Sequence, residues 1–428
     1  MKDKRWKILF ALCGMMMVLG CSPYQFDQER YEELVKDDSP TPNVDEDHDW
    51  MMTTTKTLVV DPSGVTDVKL IQIFTENPAV TESAEIVGGA YPSGDSKIVM
   101  NISYPIRLET LYAAVIDNEG YYTIASFKPA SSSSVDFTNP IVKHEKMSYH
   151  YVPQTFAYLF EEEYPKPGDY DYNDVVLCIS MEISGKREVR FNVQLAAVGG
   201  EKQMGAAIRL VGYKYEEIES VKTVDNASFN IGAAGEIPEM SSSIIKEKDL
   251  LLKSMYGEAV LNLFADAHWA TGDNVITDNG MIARKRYNVS YEKSDEYGTF
   301  TPREITYIVT FKDELDVSSL SLDALDTFII ESYNGNLYEV HMHQYATAQV
   351  LYQQSPSDAH NLPWAFCVPY DKFYWPLHEV AIGFQSVIYS KYSSGAYTKT
   401  NHSFGDWAAD RTQSIDWYLY PDNSKVYK

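Results

Sequence analysis

"EEEYPKPGDYDYNDVVLCIS", residues 161–180, places six carboxylates and one lysine between Glu161 and Asp174, then runs straight into the apolar Val175–Ile179. Pro165, Pro167 and Gly168 bend the chain ahead of that run, so the segment reads as a tight acidic turn feeding a buried strand. Comparable runs follow: "REVRFNVQLAAV", "AAIRLVGYKY", "EITYIVTF", "DTFIIESY" and "YEVHMHQ". Residues 247–268 carry a helix-like pattern, but Gly257 and "AVLNLF" favour a strand in the second half. Upstream, "KTLVVD", "DVKLIQIFT", "KIVMNISYP", "TLYAAVID" and "YYTIASFK" are separated by "DPSG", "YPSGDS" and "DNEG". That spacing predicts five or six short strands. The fold class is mainly β: a small β-sandwich over residues 55–146, then a larger β-rich domain, sandwich- or jelly-roll-like, over 149–428. No fixed-period repeat occurs, which argues against a solenoid or propeller.

Composition supports this. Of 428 residues 32 are Tyr, and aromatics make up 13%, a bias that suits half-buried pleated surfaces. The net charge of −25 argues against nucleic acid or an anionic membrane surface as a charge-bound partner.

The N-terminus has its own logic. "MKDKRWKILFALCGMMMVLGC" opens on four basic residues and continues in an apolar run from Ile8 to Leu19. That run is short of the roughly 20 residues a membrane span needs and suits a secretory segment. Its end, "VLGC", resembles the lipobox of bacterial lipoproteins. The resemblance implies a signal peptide over 1–20 and a lipid anchor on Cys21, with attachment to membrane through its acyl chains. Ser22 is not the aspartate that retains some lipoproteins at the inner membrane, so the outer membrane is the expected location. Residues 21–54 read as an acidic tether, with a short helix at "QERYEELVK" and a linker at "SPTPNVDEDHD". Cys178 and Cys367 lie in apolar runs and read as buried free thiols, with a disulfide between them the alternative in an exported protein.

The acidic segment admits three accounts. Asp169, Asp171 and Asn173 alternate, Asp174 follows, and Glu161 and Glu162 lie across the proline turn. This can gather oxygen ligands for Ca²⁺. Two carboxylates about 5 Å apart repel by about 3 kcal/mol at an effective dielectric near 20; such a group needs a cation, protons or separation. The segment is not an EF-hand, since Asp174 and Ser180 stand where that loop needs Gly and Glu. Alternatively, the same side chains cap the backbone of a turn, or they form an unpaired acidic surface.

"YLFEEEYPKPGDYDYNDVVL" also resembles the hallmark segment of the LruC domain family, catalogued as domain of unknown function 4842. Phe160, Glu161, Pro165, Gly168 and the run Asp169–Val176 fit its pattern, while Glu162 stands for Asp and Tyr164 for Trp. "AAVGGEKQMGAAIRL", "YEVHMHQY", "NLPWAFCVPYDKFYWPLHEV" and Asp416–Tyr418 resemble further pieces. The likeness spans about residues 149–425 and implies an envelope lipoprotein of Bacteroides-type bacteria. The family implies no reaction.

Other constellations are weaker. His341 and His343 would share a strand face, and Asp266 and His268 read as a local pair. No nucleophile elbow, His-Glu-x-x-His or phosphate loop is present. The resulting expectation is a non-enzymatic, lipid-anchored envelope protein that binds an extracytoplasmic protein or glycan, with Ca²⁺ stiffening the loop. Its rivals are a glycan hydrolase, which needs two carboxylates about 5–9.5 Å apart, and a purely structural scaffold.

Overall fold

The structure, a computed structural model, describes residues 39–41, 43–92, 97–140, 142–164, 166–200, 202–229, 249–271, 302–333, 336–345, 357–370, 373–384 and 402–426. The signal segment 1–20, Cys21 and the helix predicted at 28–36 lie outside the described residues.

The first region has strands β1 (Thr53–Asp61), β2 (Val68–Phe74), β3 (Ile86–Ala90), β4 (Ile98–Pro105), β5 (Leu111–Asp117), β6 (Tyr121–Phe127), β7 (Ser134–Asp136) and β8 (Val142–Lys146). They form a three-stranded sheet, β4-β1-β7, and a five-stranded sheet, β3-β2-β5-β6-β8. Alternate residues point inward: Leu58 and Val60 from β1 meet Ile71, Ile73, Ala113 and Val115 from the facing sheet. Burying each such branched side chain contributes about 1.5–3 kcal/mol, and the period of two fixes which face is covered.

The larger region has β9 (Thr155–Phe160), β10 (Val175–Gly185), β11 (Glu188–Ala197), β12 (Met204–Lys214), β13 (Ile218–Thr223), β14 (Leu251–Lys253), β15 (Glu258–Phe264), helix α1 (Ala267–Ala270), β16 (Arg303–Phe311), β17 (Leu325–Tyr333), β18 (Asn336–His341), β19 (Ala365–Pro369) and helix α2 (Phe404–Ala409). A six-stranded sheet runs β13-β16-β11-β10-β9-β19, and a five-stranded sheet runs β14-β15-β12-β17-β18. The main core lies between them.

β10 explains the unbroken apolar run. Val175, Leu177 and Ile179 enter the core between the sheets. Val176 and Cys178 point the other way, into a second core with Trp50, Phe366, Trp375, Trp407 and Trp417. A strand buried on both faces does not alternate. Cys178 and Cys367 are buried free thiols, and burial pushes the Cys178 thiol up to about 12.

That second core corrects the extent of the tether. Residues 44–52 are packed against the C-terminal segment. His48 Nε2 lies 2.8 Å from the Trp407 carbonyl, Trp50 stacks edge-on with Trp407 at 5.5 Å between ring centres, and Met52 is buried.

Candidate metal centre

The acidic segment is the connection between β9 and β10. Phe160 and Val175 are register partners, so Glu161 and Asp174 begin and end the loop side by side. Backbone holds at least one oxygen of each buried carboxylate. Glu161 Oε1 accepts from Tyr172 N at 2.7 Å, and Asp174 Oδ2 accepts from Glu162 N at 2.6 Å. Asp171 accepts from Asn173 N at 3.1 Å and, through Oδ2, from Glu379 N at 3.0 Å. Glu162 Oε2 accepts from Lys202 N at 2.7 Å. Turn capping thus accounts for part of the arrangement.

It leaves a remainder. Glu161 Oε2 and Asn173 Oδ1 are buried acceptors without a hydrogen-bond partner, a condition that costs about 1–3 kcal/mol each. Glu161 Oε2 lies beneath Gly168; a Cβ there would come within 2.1 Å of it. Asn173 Nδ2 donates to the Pro376 carbonyl at 3.0 Å, which aims its Oδ1 elsewhere. Among the described residues, no Lys or Arg pairs with Glu161, Asp169, Asp171 or Asp174.

The electrostatics follow. Burial, then the charges of Asp171 and Asp169, push the Glu161 carboxyl well above the usual range. Burial raises Asp171 to about 6. Burial, then Glu162 and Glu161, raise Asp174 well above its ordinary value. These are the signs of anionic groups gathered in low dielectric without a counter-charge.

Two tyrosines make the loop's shape possible. Tyr170 and Tyr172 have positive φ, as does Glu379 across the site, a conformation that bulky residues adopt only where their surroundings impose it. Here the Tyr172 hydroxyl donates to the Pro363 carbonyl at 2.7 Å. The Tyr170 hydroxyl donates to Asp358 at 2.6 Å and contacts His360. Ile382 N donates to the Tyr170 carbonyl at 2.7 Å. The loop is therefore clamped by segments 358–363 and 376–382.

The sequence-predicted residues come together unevenly. Glu161, Asp171 and Asp174 converge in the buried floor. Asp169 stands at the mouth, its side chain 37% exposed. Asn173 contributes an amide. Glu162 is drawn toward Lys202, in the wall of an open cleft of about 390 Å³ that Gly168, Asp169, Asp174, Gly199, Gly200 and His378 also line.

Sequence reasoning did not single out His378. Its Nδ1 lies 3.6 Å from Asp171 Oδ2 and 3.8 Å from Asp169 Oδ2. More than 200 residues separate it from the loop, and only the cap formed by the C-terminal segment brings it there. The histidine pair fares differently: β18 ends at His341 and a 3₁₀ turn begins at His343, so they do not share a strand face. Asp266 caps α1, accepting from His268 N and Trp269 N.

With the geometry in place, comparison with known proteins identifies the domain. A family model described as domain of unknown function DUF4842 matches residues 187–418, more than half of the chain. The chain belongs to the DUF4842 family. The match is narrower than the 149–425 span suggested by motif likeness; it begins after Asp174 and includes His378. No curated protein matches this DUF4842 chain. Among solved structures, a candidate lipoprotein from Bacteroides ovatus is similar at 14% identity and a TM-score of 0.49, over 84% of this chain and 99% of that one. Among the described residues, no helix is long and apolar enough to cross a membrane.

Proposed function

We propose that this DUF4842 protein is a lipid-anchored, non-enzymatic binding protein of the cell envelope, held at Cys21, whose β9–β10 loop carries a Ca²⁺ ion. The single observation that carries the metal is the pair of orphaned acceptors, Glu161 Oε2 and Asn173 Oδ1, inside a group of buried carboxylates to which, among the described residues, no Lys or Arg is paired. The donor set is almost wholly hard oxygen: Glu161, Asp169, Asp171, Asp174 and the Asn173 carbonyl. Such sets fit Ca²⁺. The ion supplies the missing positive charge. The residues' own part is to hold the loop against segment 376–382, so that binding stiffens one end of the larger domain.

The anchor rests on the basic start, the short apolar run and "VLGC". The binding role rests on a rigid β scaffold with a stiffened loop at its end, and its partner is an extracytoplasmic protein or glycan. Calorimetric titration of the detergent-solubilised full chain with CaCl₂ tests the metal: saturable heat and a higher melting midpoint, both reversed by chelator, are expected. A flat titration with an unmoved midpoint removes the ion. Mass spectrometry of the N-terminal peptide tests the anchor, with an acylated Cys21 as the expected first residue. A glycan array probed with and without chelator tests the role.

A further inference from the structure

Resting on the reading of this loop as a calcium site, we infer that its mouth is a second, mixed-donor subsite that shares the Asp169 and Asp171 carboxylates with the oxygen set. There Asp169, Asp171 and His378 take a divalent ion of the Zn²⁺ kind in preference to Ca²⁺. One ligand atom from each of the three lies within 4.8 Å of the others. The spacing is informative. His378 Nδ1 stands 3.6 and 3.8 Å from the two carboxylate oxygens, too far for hydrogen bonds of about 2.7–3.2 Å. Two ligands bound to one ion at about 2.0–2.2 Å stand about 3–3.5 Å apart. The two separations from His378 lie within a few tenths of an ångström of that spacing.

Three contacts bracket His378 and fix where it stands. Pro376 O accepts from Asn173 Nδ2, Glu379 N donates to Asp171 Oδ2, and Ile382 N donates to Tyr170 O. An independent observation points to a ligand. Glu161 is 2% exposed, its Oε2 has no partner, and that oxygen sits against Gly168, the neighbour of Asp169. The buried floor is therefore short of positive charge directly behind the mouth. The cleft over Asp169 and His378 gives solvent ions a way in. An imidazole nitrogen among carboxylates shifts preference from Ca²⁺ and Mg²⁺ toward Zn²⁺, because nitrogen is a poor ligand for hard cations and a good one for Zn²⁺.

The test uses the full chain and the metals themselves. Zn²⁺ affinity is measured by competition with a chromophoric chelator, Ca²⁺ affinity by calorimetry, and Co²⁺ is added as a spectroscopic probe of nitrogen ligation. His378→Ala is expected to weaken Zn²⁺ binding at least tenfold, to change the visible Co²⁺ spectrum, and to leave Ca²⁺ affinity within about threefold. His378→Gln keeps the side chain's bulk and is expected to show the same Zn²⁺ loss, which separates ligation from misfolding. Asp169→Asn is expected to weaken Zn²⁺ as well. Zn²⁺ binding that ignores both His378 variants overturns the subsite, as does Ca²⁺ binding that falls in parallel with Zn²⁺ in those two variants. If Ca²⁺ binds and Zn²⁺ does not, the subsite fails while the calcium loop stands. If neither binds, both fail.

Discussion

On the outer face of the five-stranded sheet, Arg209 reaches Asp326 at 2.8 Å and Glu258 at 3.1 Å. His341 bridges Asp326 at 2.8 Å and Glu339 at 3.1 Å. All five residues are buried, and two cations there face three carboxylates. Around the β9–β10 loop, Glu161, Asp171 and Asp174 are equally buried, yet none has a Lys or Arg partner among the described residues. Both clusters sit in one domain at similar depth, so burial alone does not make a binding site. What separates them is whether the fold itself supplies the counter-charge. Arg209 and Asp326 are register partners on β12 and β17, and cross-strand pairing completes that network during folding. A loop closed by a proline turn has no facing strand from which a cation side chain can come.

The largest expected effect breaks the self-sufficient cluster. Asp326→Ala removes the carboxylate that Arg209 and His341 share and leaves each with one anionic partner, and removing one partner of a buried charge pair costs about 3–5 kcal/mol. Denaturant unfolding is expected to show that loss equally with Ca²⁺ or chelator present. A loss that Ca²⁺ rescues means the two clusters are coupled. Next comes pH. Burial alone would lower His341, but the charge and hydrogen bond of Asp326, joined by Glu339, outweigh it and hold the ring at about 9. A histidine raised from 6.5 contributes stability that is full below pH 6.5 and is lost as pH rises through about 9. The expected loss is about 3 kcal/mol. Melting curves between pH 6 and 10 are expected to fall in wild type and to stay flatter in His341→Gln.

How much of this was legible in the sequence differs along the same lines. The strand at Val175 was legible, since an unbroken apolar run beside a turn means burial. Why it does not alternate needed the second core, built from Trp50 and, more than 350 residues later in the chain, Trp407 and Trp417. β3 and β7 escaped notice: "IVGGA" carries two glycines and "SVD" is three residues long, so neither has a strand's usual signature. The acids of "DEDHDW" suggested a tether, but His48 and Trp50 behind them are anchors. In the site, Glu161 facing Asp174 was legible from Pro165, Pro167 and Gly168. His378 was not, because sheet order and the C-terminal cap place it, and neither leaves a local trace. His341 and His343 misled in the opposite sense, since alternation assumes a strand that in fact stops.

Calcium should then distinguish the clusters directly. At a free concentration 100 times its dissociation constant, a ligand specific to the folded state adds about 2.7 kcal/mol. The full chain is expected to gain about that much with CaCl₂. A chain carrying Asp326→Ala should gain the same increment from its lower starting point.

The smallest effect is the sharpest, because one chemical change is expected to act with opposite signs at the two places. Glu161→Gln keeps an oxygen for Tyr172 N and removes a carboxyl that burial, Asp171 and Asp169 all oppose in its charged form. In chelator this variant should be more stable than wild type by about 1–2 kcal/mol, a fraction of the repulsion between carboxylates about 5 Å apart. It should also lose most of its response to Ca²⁺. Glu258→Gln makes the same exchange where the carboxylate holds Arg209 Nη1 at 3.1 Å and Gly212 N at 2.9 Å. There the expected change is a loss of about 1–2 kcal/mol, the share of a charge-assisted bond that a neutral amide does not replace. Paired urea curves in chelator measure both. If Glu161→Gln destabilises as Glu258→Gln does, the loop's carboxylates are already satisfied by backbone amides. The contrast between the clusters, and the ion with it, would then be lost.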